Sequence, residues 1–169
     1  MQIDNIDNNL LIVNTGGTFN KIYDPIKGEL LVDKNSKALD ELASKWLCKF
    51  EIINILGKDS LDLNQQDREV ILNTIKKSSY NKIVIVHGTD TMHLTAEFLN
   101  RAKLEKKVVL TGAMLPYSID PVEATANLAS SFGYLQNLNK NGLFIVMNGV
   151  FGVYSSIIKD RKNGKFIIK

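Results

Sequence analysis

KIVIVHGTDTM, residues 82–92, reads as a strand, a glycine turn and the opening of a helix. Ile83 to Val86 is an unbroken β-branched run without the alternation of a half-exposed strand, so it predicts a strand covered on both faces, as in a parallel sheet. His87-Gly88 ends the run, and Leu94, Phe98 and Ala102 then recur four apart, a helical period. Thr89 or Asp90 stands where a helix N-cap is expected. Working outward, the same phrase repeats. Leu10 to Val13, Ile52 to Leu56, Val108 to Leu110 and Leu143 to Met147 are further short apolar runs. Between them lie helical patterns: Leu39, Leu42, Ala43, Trp46 and Leu47 behind Ser36 as N-cap, Ile71 and Ile75 within 64–79, and Leu128, Phe132 and Leu135 from Pro121 to about Asn139. Strand and helix alternate throughout. That predicts an α/β fold: a doubly wound, mainly parallel sheet with helices on both faces.

In such sheets ligands bind beyond the carboxyl ends of the strands. The residues there are Thr15-Gly16-Gly17-Thr18, Gly57-Lys58-Asp59, His87-Gly88-Thr89-Asp90, Thr111-Gly112-Ala113 and Asn148-Gly149. Glycine lets a backbone approach a ligand closely, and hydroxyls supply nucleophiles or donors. Phe19 to Val32 contains Asp24-Pro25 and Lys27-Gly28, turn signals that predict a hairpin or flap. Phe166-Ile167-Ile168 reads as an edge strand or the start of a second domain.

Composition narrows the function. A chain of 169 residues fits one domain, residues 1–169. Twenty-one Lys plus Arg against eighteen Asp plus Glu leaves +3, too little for a nucleic-acid surface. Cys48 is the single cysteine, which excludes an intramolecular disulfide and a cysteine-based metal cluster. The longest apolar run, Leu143 to Met147, is far below the roughly 20 residues of a membrane span. The opening MQIDNIDNN is polar and acidic, unlike a secretory signal, so a cytoplasmic location is expected. His87 and His93 read as structural histidines, and no metal site is expected.

Thr15-Gly16-Gly17-Thr18 has two readings: a threonine nucleophile with backbone N–H groups as an oxyanion hole, or a glycine turn flanked by capping threonines. It lacks the third glycine of G-x-G-x-x-G and the G-K-[ST] of a P-loop. His87-Gly88-Thr89-Asp90-Thr91-Met92 is more specific. Capping needs one such residue, and this turn carries Thr, Asp and Thr together; Asp90 suits a substrate ammonium group.

TGGT at 15–18, HGTDTM at 87–92, TGAM at 111–114 with Pro116, and VMN at 146–148, in that order, resemble the bacterial-type L-asparaginase family. The resemblance runs over essentially the whole chain but only over the family's N-terminal domain. It implies hydrolysis of the side-chain amide of L-asparagine or a related small amide, without a metal or organic cofactor. It also implies roles. Thr15 would be the nucleophile, and Thr89, Asp90 and Lys159, twelve residues after Met147, a proton relay. Tyr23 would be the flap tyrosine assisting the nucleophile. Gly16, Gly57, Lys58, Asp59, Gly88 and Asp90 would surround the substrate. A free lysine titrates near ~10.4, so a lysine base needs burial or a neighbouring cation.

Three departures bear on this. Gly57 and Lys58 stand where the family usually has a Ser-Gln pair, with Asp59 retained; Lys58 suits a carboxylate and would repel an α-ammonium. Leu115 stands where arginine is common. The family's C-terminal domain has no counterpart, so slow turnover is expected, with the site closed by a second copy of the chain, as a homodimer, or by a separate partner chain. Two other functions fit the same residues: an amino-acid or small-carboxylate binding domain with weak or no catalysis, and a subunit that works only with a partner. A nucleotide-binding Rossmann domain is more distant, because its fingerprint is missing.

Overall fold

The computed structural model describes residues 10–46 and 50–169. The MQIDNIDNN stretch, Leu47 and Cys48 lie outside the described residues. In chain order the elements are β1 (Leu10–Gly16), β2 (Lys21–Asp24), β3 (Glu29–Val32), α1 (Lys37–Lys45), β4 (Glu51–Lys58), α2 (Gln65–Lys77), β5 (Lys82–Val86), α3 (Met92–Asn100), β6 (Lys107–Thr111), α4 (Pro121–Asn137), β7 (Gly142–Met147), β8 (Val150–Val153), β9 (Ile157–Asp160) and β10 (Lys165–Ile168). The main sheet runs β4-β1-β5-β6-β7-β8. Its first five strands are parallel, with Val13 opposite both Ile53 of β4 and Ile85 of β5.

Alternate side chains of each strand enter two separate cores, which is why the runs carry no polar alternation. Leu11, Val13, Ile83, Ile85, Val108 and Leu110 pack on Ile71 and Ile75 of α2 and on Met92, Ala96 and Leu99 of α3. Leu10, Ile12, Val84, Val86 and Val109 pack on Leu39 and Leu42 of α1 and on Leu128, Phe132 and Leu135 of α4. Each such side chain contributes about 1.5–3 kcal/mol when fully buried. Helices therefore cover both faces, and the doubly wound, mainly parallel sheet is as expected. Among the described residues no helix is long and apolar enough to cross a membrane.

The helix starts follow local chemistry, with one exception. Ser36 caps α1 by accepting from the Leu39 amide, Asn64 and Asp67 form a reciprocal capping box on α2, and Asp120 caps α4 ahead of Pro121. Neither Thr89 nor Asp90 caps α3. Thr91 holds that place and makes no side-chain cap. Its hydroxyl donates instead to the Ser60 carbonyl, at 2.7 Å, because the turn is tied sideways to the loop after β4.

Two further expectations change at the C-terminal end. Asn148-Gly149 follows the carboxyl end of β7 but opens no helical crossover. It is the two-residue turn of the antiparallel β7–β8 hairpin, with φ of 51° and 80°, the positive pair that such a turn needs. Phe166 to Ile168 is not an edge strand of the main sheet; it pairs with β9 in a separate two-stranded sheet. The 19–32 connection is the β2–β3 hairpin, Lys21 opposite Val32.

What matters for function is the switch point. From β1 the chain crosses to β4 on one side, and from β4 it returns to β5 on the other. The loops after β1 and β5 thus diverge at one place on the carboxyl rim, the place where open sheets of this kind bind ligands.

Candidate active site

The loops at the switch point pack on one another, backbone to backbone. A Cβ on Gly17 would lie 2.5 Å from Cα of Gly88, and a Cβ on Gly88 would lie 2.6 Å from Cβ of Ser60. Gly16 sits in the same way on the Lys58 backbone, and Gly57 on Lys34. These glycines, expected to bring the backbone close to a substrate, bring the loops close to each other. The amides of Gly16 and Gly17 are committed as well, to Oδ1 of Asn14 at 3.1 Å and to the Lys58 carbonyl at 2.9 Å, so neither is a free oxyanion donor.

On this platform Lys159, from β9, meets the turn after β5. Its Nζ donates to Oγ1 of Thr89 at 2.7 Å and to Oδ1 of Asp90 at 2.9 Å. The Lys159 side chain is 14% exposed. Arg161, in the β9–β10 turn, donates from Nη1 to the same Oδ1 at 2.7 Å and from Nη2 to the Asp90 carbonyl at 3.3 Å. The Asp90 amide donates to Oγ of Ser60. Burial by itself would push the Asp90 carboxyl up, but the hydrogen bonds and charges of Lys159 and Arg161 hold it below the usual carboxylate range. A cleft of about 480 Å³ opens on this cluster, lined among others by Thr89, Asp90, His93, Tyr154, Lys159 and Arg161. Thr89, Asp90 and Lys159, 69 or more residues apart in sequence for the lysine, are therefore brought together.

The other expected residues are not part of that contact. Thr15 is 1% exposed, and its hydroxyl donates to the Val86 carbonyl at 2.9 Å. That bond ties β1 to β5 and leaves the Thr15 hydroxyl without a proton directed at the cleft. The last residue of the same tetrapeptide, Thr18, is half-buried and lies one residue beyond the Gly17–Gly88 contact. Tyr23, on β2, is 62% exposed and makes no hydrogen bond to Thr89, Asp90 or Lys159. Lys58 is paired within the protein. It holds both carboxylate oxygens of Asp67, at 2.8 and 2.9 Å, inside the α2 capping box. Burial would raise the Asp67 carboxyl, but Lys58 and the Asn64 amide keep it low. Asp59 accepts from the Leu61 amide and pairs with Lys21 at 2.7 Å, anchoring the base of the β2–β3 hairpin.

His87 is fully buried beneath the turn. Its Nδ1 lies 2.7 Å from the Gly88 carbonyl, which only accepts, so Nδ1 carries the proton. Nε2 then accepts from the Thr95 hydroxyl at 2.9 Å, and Nε of Arg68 donates to that same oxygen at 3.2 Å. Burial pushes the imidazole down to about 4, against the opposing pull of the Gly88 bond, and the ring is neutral. The chain from Arg68 through Thr95 and His87 to Gly88 fixes the peptide that carries Thr89. Among the described residues no three His, Cys, Asp or Glu gather to hold a metal. Sequence reading missed Ser60, Thr95 and Arg161, none of which carries a local signal.

Comparisons with known proteins agree with this architecture. Residues 9–160 match the family model described as Asparaginase, N-terminal. The chain is 31% identical over 153 residues to the glutaminase-asparaginase of Acinetobacter glutaminasificans, an alignment spanning 83% of this chain and 46% of that protein. It is 29% identical over 157 residues to one subunit of the glutamyl-tRNA(Gln) amidotransferase of Methanococcus maripaludis, covering 85% of this chain and 36% of the other. The thermostable L-asparaginase of Thermococcus kodakarensis superposes with a TM-score of 0.81 at 25% identity, over 95% of this chain and 51% of that one. The chain thus spans about half, or less, of the length of the proteins it matches.

Proposed function

The chain belongs to the asparaginase family, through that family's N-terminal domain, and from this premise we propose that its site hydrolyses the side-chain amide of L-asparagine or a related small amide by way of a threonyl ester. The observation that carries the reading is Lys159 Nζ at 2.7 Å from the Thr89 hydroxyl and 2.9 Å from the Asp90 carboxylate. A hydroxyl, an amine and an orienting acid in one chain of contacts are what acyl transfer needs. Thr18 is the nucleophile in this proposal, because Thr15 is walled in while Thr18 is half-buried on the same turn. The Thr18 oxygen adds to the amide carbon, and its proton passes through Thr89 to Lys159, which in this proposal rests as the cation on Asp90 and must first release a proton to water before it can accept one. Collapse of the tetrahedral adduct breaks the C–N bond, the leaving nitrogen takes a proton, and ammonia departs. Water then hydrolyses the ester, releasing carboxylate and restoring Thr18. Asp90 orients Lys159 and faces the substrate.

Ammonia release from L-asparagine, L-glutamine and small amides by the purified protein tests the proposal. Thr18→Ala and Lys159→Met should each abolish it. Full rates in both variants sink the assignment.

A second reading makes the chain a component that acts with a separate chain. The likeness to one subunit of an amidotransferase favours it. The open cleft beside Lys159 would then be closed by that chain, or by a second copy in a homodimer. Activity that rises with protein concentration indicates the homodimer; activity that appears only with a co-purifying protein indicates the separate chain.

A further inference from the structure

We propose that Arg161 sets the substrate class of this site, selecting amides that carry a carboxylate and no free ammonium group. The proposal rests on the reading of Asp90 as a substrate contact, and it goes beyond that reading by saying what Asp90 has left to offer. An aspartate at this position suits a substrate ammonium only while its carboxylate is open. Here one oxygen, Oδ1, already receives both Lys159 and Arg161. Arg161 is held at a second point on the same residue, the Asp90 carbonyl, so the guanidinium is fixed beside the carboxylate and an ammonium approaching Oδ2 would stand next to both cations.

Among the described residues, the neighbouring acidic side chains are already engaged. Asp59 is bound to Lys21, and Glu97, the other acid lining the cleft, is bound to Arg101 at 2.7 Å. An ammonium entering the cleft would meet two cations on one acid. A carboxylate would meet the reverse. Arginine has five N–H donors in a planar fork, and two of them serve Asp90. Three remain, on a side chain that is 65% exposed and lines the cleft. Such a fork matches a carboxylate in geometry as well as charge. The favoured ligand is therefore the mono-amide of a dicarboxylic acid without an α-amino group, or with that group acylated.

Two ligand pairs that differ only in the α-ammonium decide the matter. Calorimetry with succinate and L-aspartate reads binding without chemistry, and ammonia release from succinamate and L-asparagine reads turnover. The wild-type chain should prefer the ammonium-free member of each pair on the order of tenfold. Arg161→Gln keeps an exposed turn residue of similar length, and it should erase or reverse that preference. Equal affinity for aspartate and succinate in the wild type overturns the proposal. So does an unchanged ratio in Arg161→Gln with both ligands weakened alike, which is what a merely structural arginine would give. If no ligand binds and no ammonia appears, the amide-hydrolysis reading fails and this proposal falls with it; binding without discrimination removes this proposal alone.

Discussion

The turns after β1 and β5 are made of the same residues, threonine beside glycine, and they use them in opposite ways. Thr15 and Thr89 are almost equally buried, 1% and 5% exposed. Thr15 gives its proton to a strand carbonyl inside the sheet, while Thr89 meets a lysine arriving from a hairpin outside it. Burial alone does not tell these two hydroxyls apart. What separates them is the element that crosses over each. The largest expected effect follows directly. Thr89→Val should lower kcat/KM for ammonia release by roughly 10²–10⁴, the range for loss of positioned proton transfer. Thr15→Val should keep the rate within a few-fold and lower stability by about 1 kcal/mol, since the Val86 carbonyl loses its donor. Steady-state kinetics and urea unfolding on the two variants measure both. A dead but folded Thr15→Val would erase the contrast.

His87 sharpens it, because it belongs to one turn only. The imidazole titrates at about 4 in the folded chain against 6.5 unfolded, so the unfolded state binds more protons between those values. Stability is then fully present above pH 6.5 and falls as the pH drops through 4, by about 3 kcal/mol in all. Asp59, Asp67 and Asp90 are all held below the ordinary value of 3.8, and their contributions fade only in more acid solution. His93 is also lowered, by partial burial and then by Arg161, and acts with the same sign. Urea midpoints from pH 7 to 4 should flatten mainly in His87→Gln and only slightly in His93→Gln. The reverse ranking would mean that the buried imidazole is not what holds the β5 turn.

The two turns also mark where sequence stops being informative. Five parallel strands and four helices were legible because burial on both faces forces unbroken Val, Ile and Leu runs, and helices force a period near four. Asn148-Gly149 carried an equally local signal, a two-residue hairpin turn, hidden by the assumption that every strand end faces a ligand. The partners were not legible. Lys159 is joined to Thr89 across 70 residues, and composition or periodicity alone leaves it a solvated loop lysine. Arg161 and Ser60 have no pattern at all, since each acts through a loop–loop contact made only after the sheet has formed. The glycines misled for the same reason. Close approach was read correctly, and a neighbouring loop is what the structure shows approaching.

Below His87, Thr95 offers a smaller intervention. Thr95→Val preserves shape, yet it removes the proton that Nε2 of His87 accepts and the oxygen that Arg68 reaches. A buried acceptor left unpaired costs about 1–3 kcal/mol. The variant should lose that much in urea unfolding. It should also lose some activity, because the Gly88 peptide that leads to Thr89 is freed. Loss of stability with kcat untouched would separate the fold of the β5 turn from its chemistry.

The smallest effect concerns the turn after β4, where Gly57 and Lys58 stand in place of the family's usual Ser-Gln pair. By charge alone Lys58 would repel a substrate ammonium. Its geometry says otherwise, because Asp67 neutralises it inside the capping box, at two contacts and with only 9% of the Asp67 side chain exposed. Lys58 itself is 41% exposed, so water screens the pair and its removal should cost no more than about 1 kcal/mol. Lys58→Met should therefore shift the urea midpoint slightly and leave the ratio of aspartate to succinate affinity where it was. If the ratio moves toward aspartate, the charge at position 58 reaches the ligand after all, and Lys58 shares the selection assigned to Arg161. If it holds, discrimination belongs to the β9–β10 turn, and the loop after β4 serves the fold.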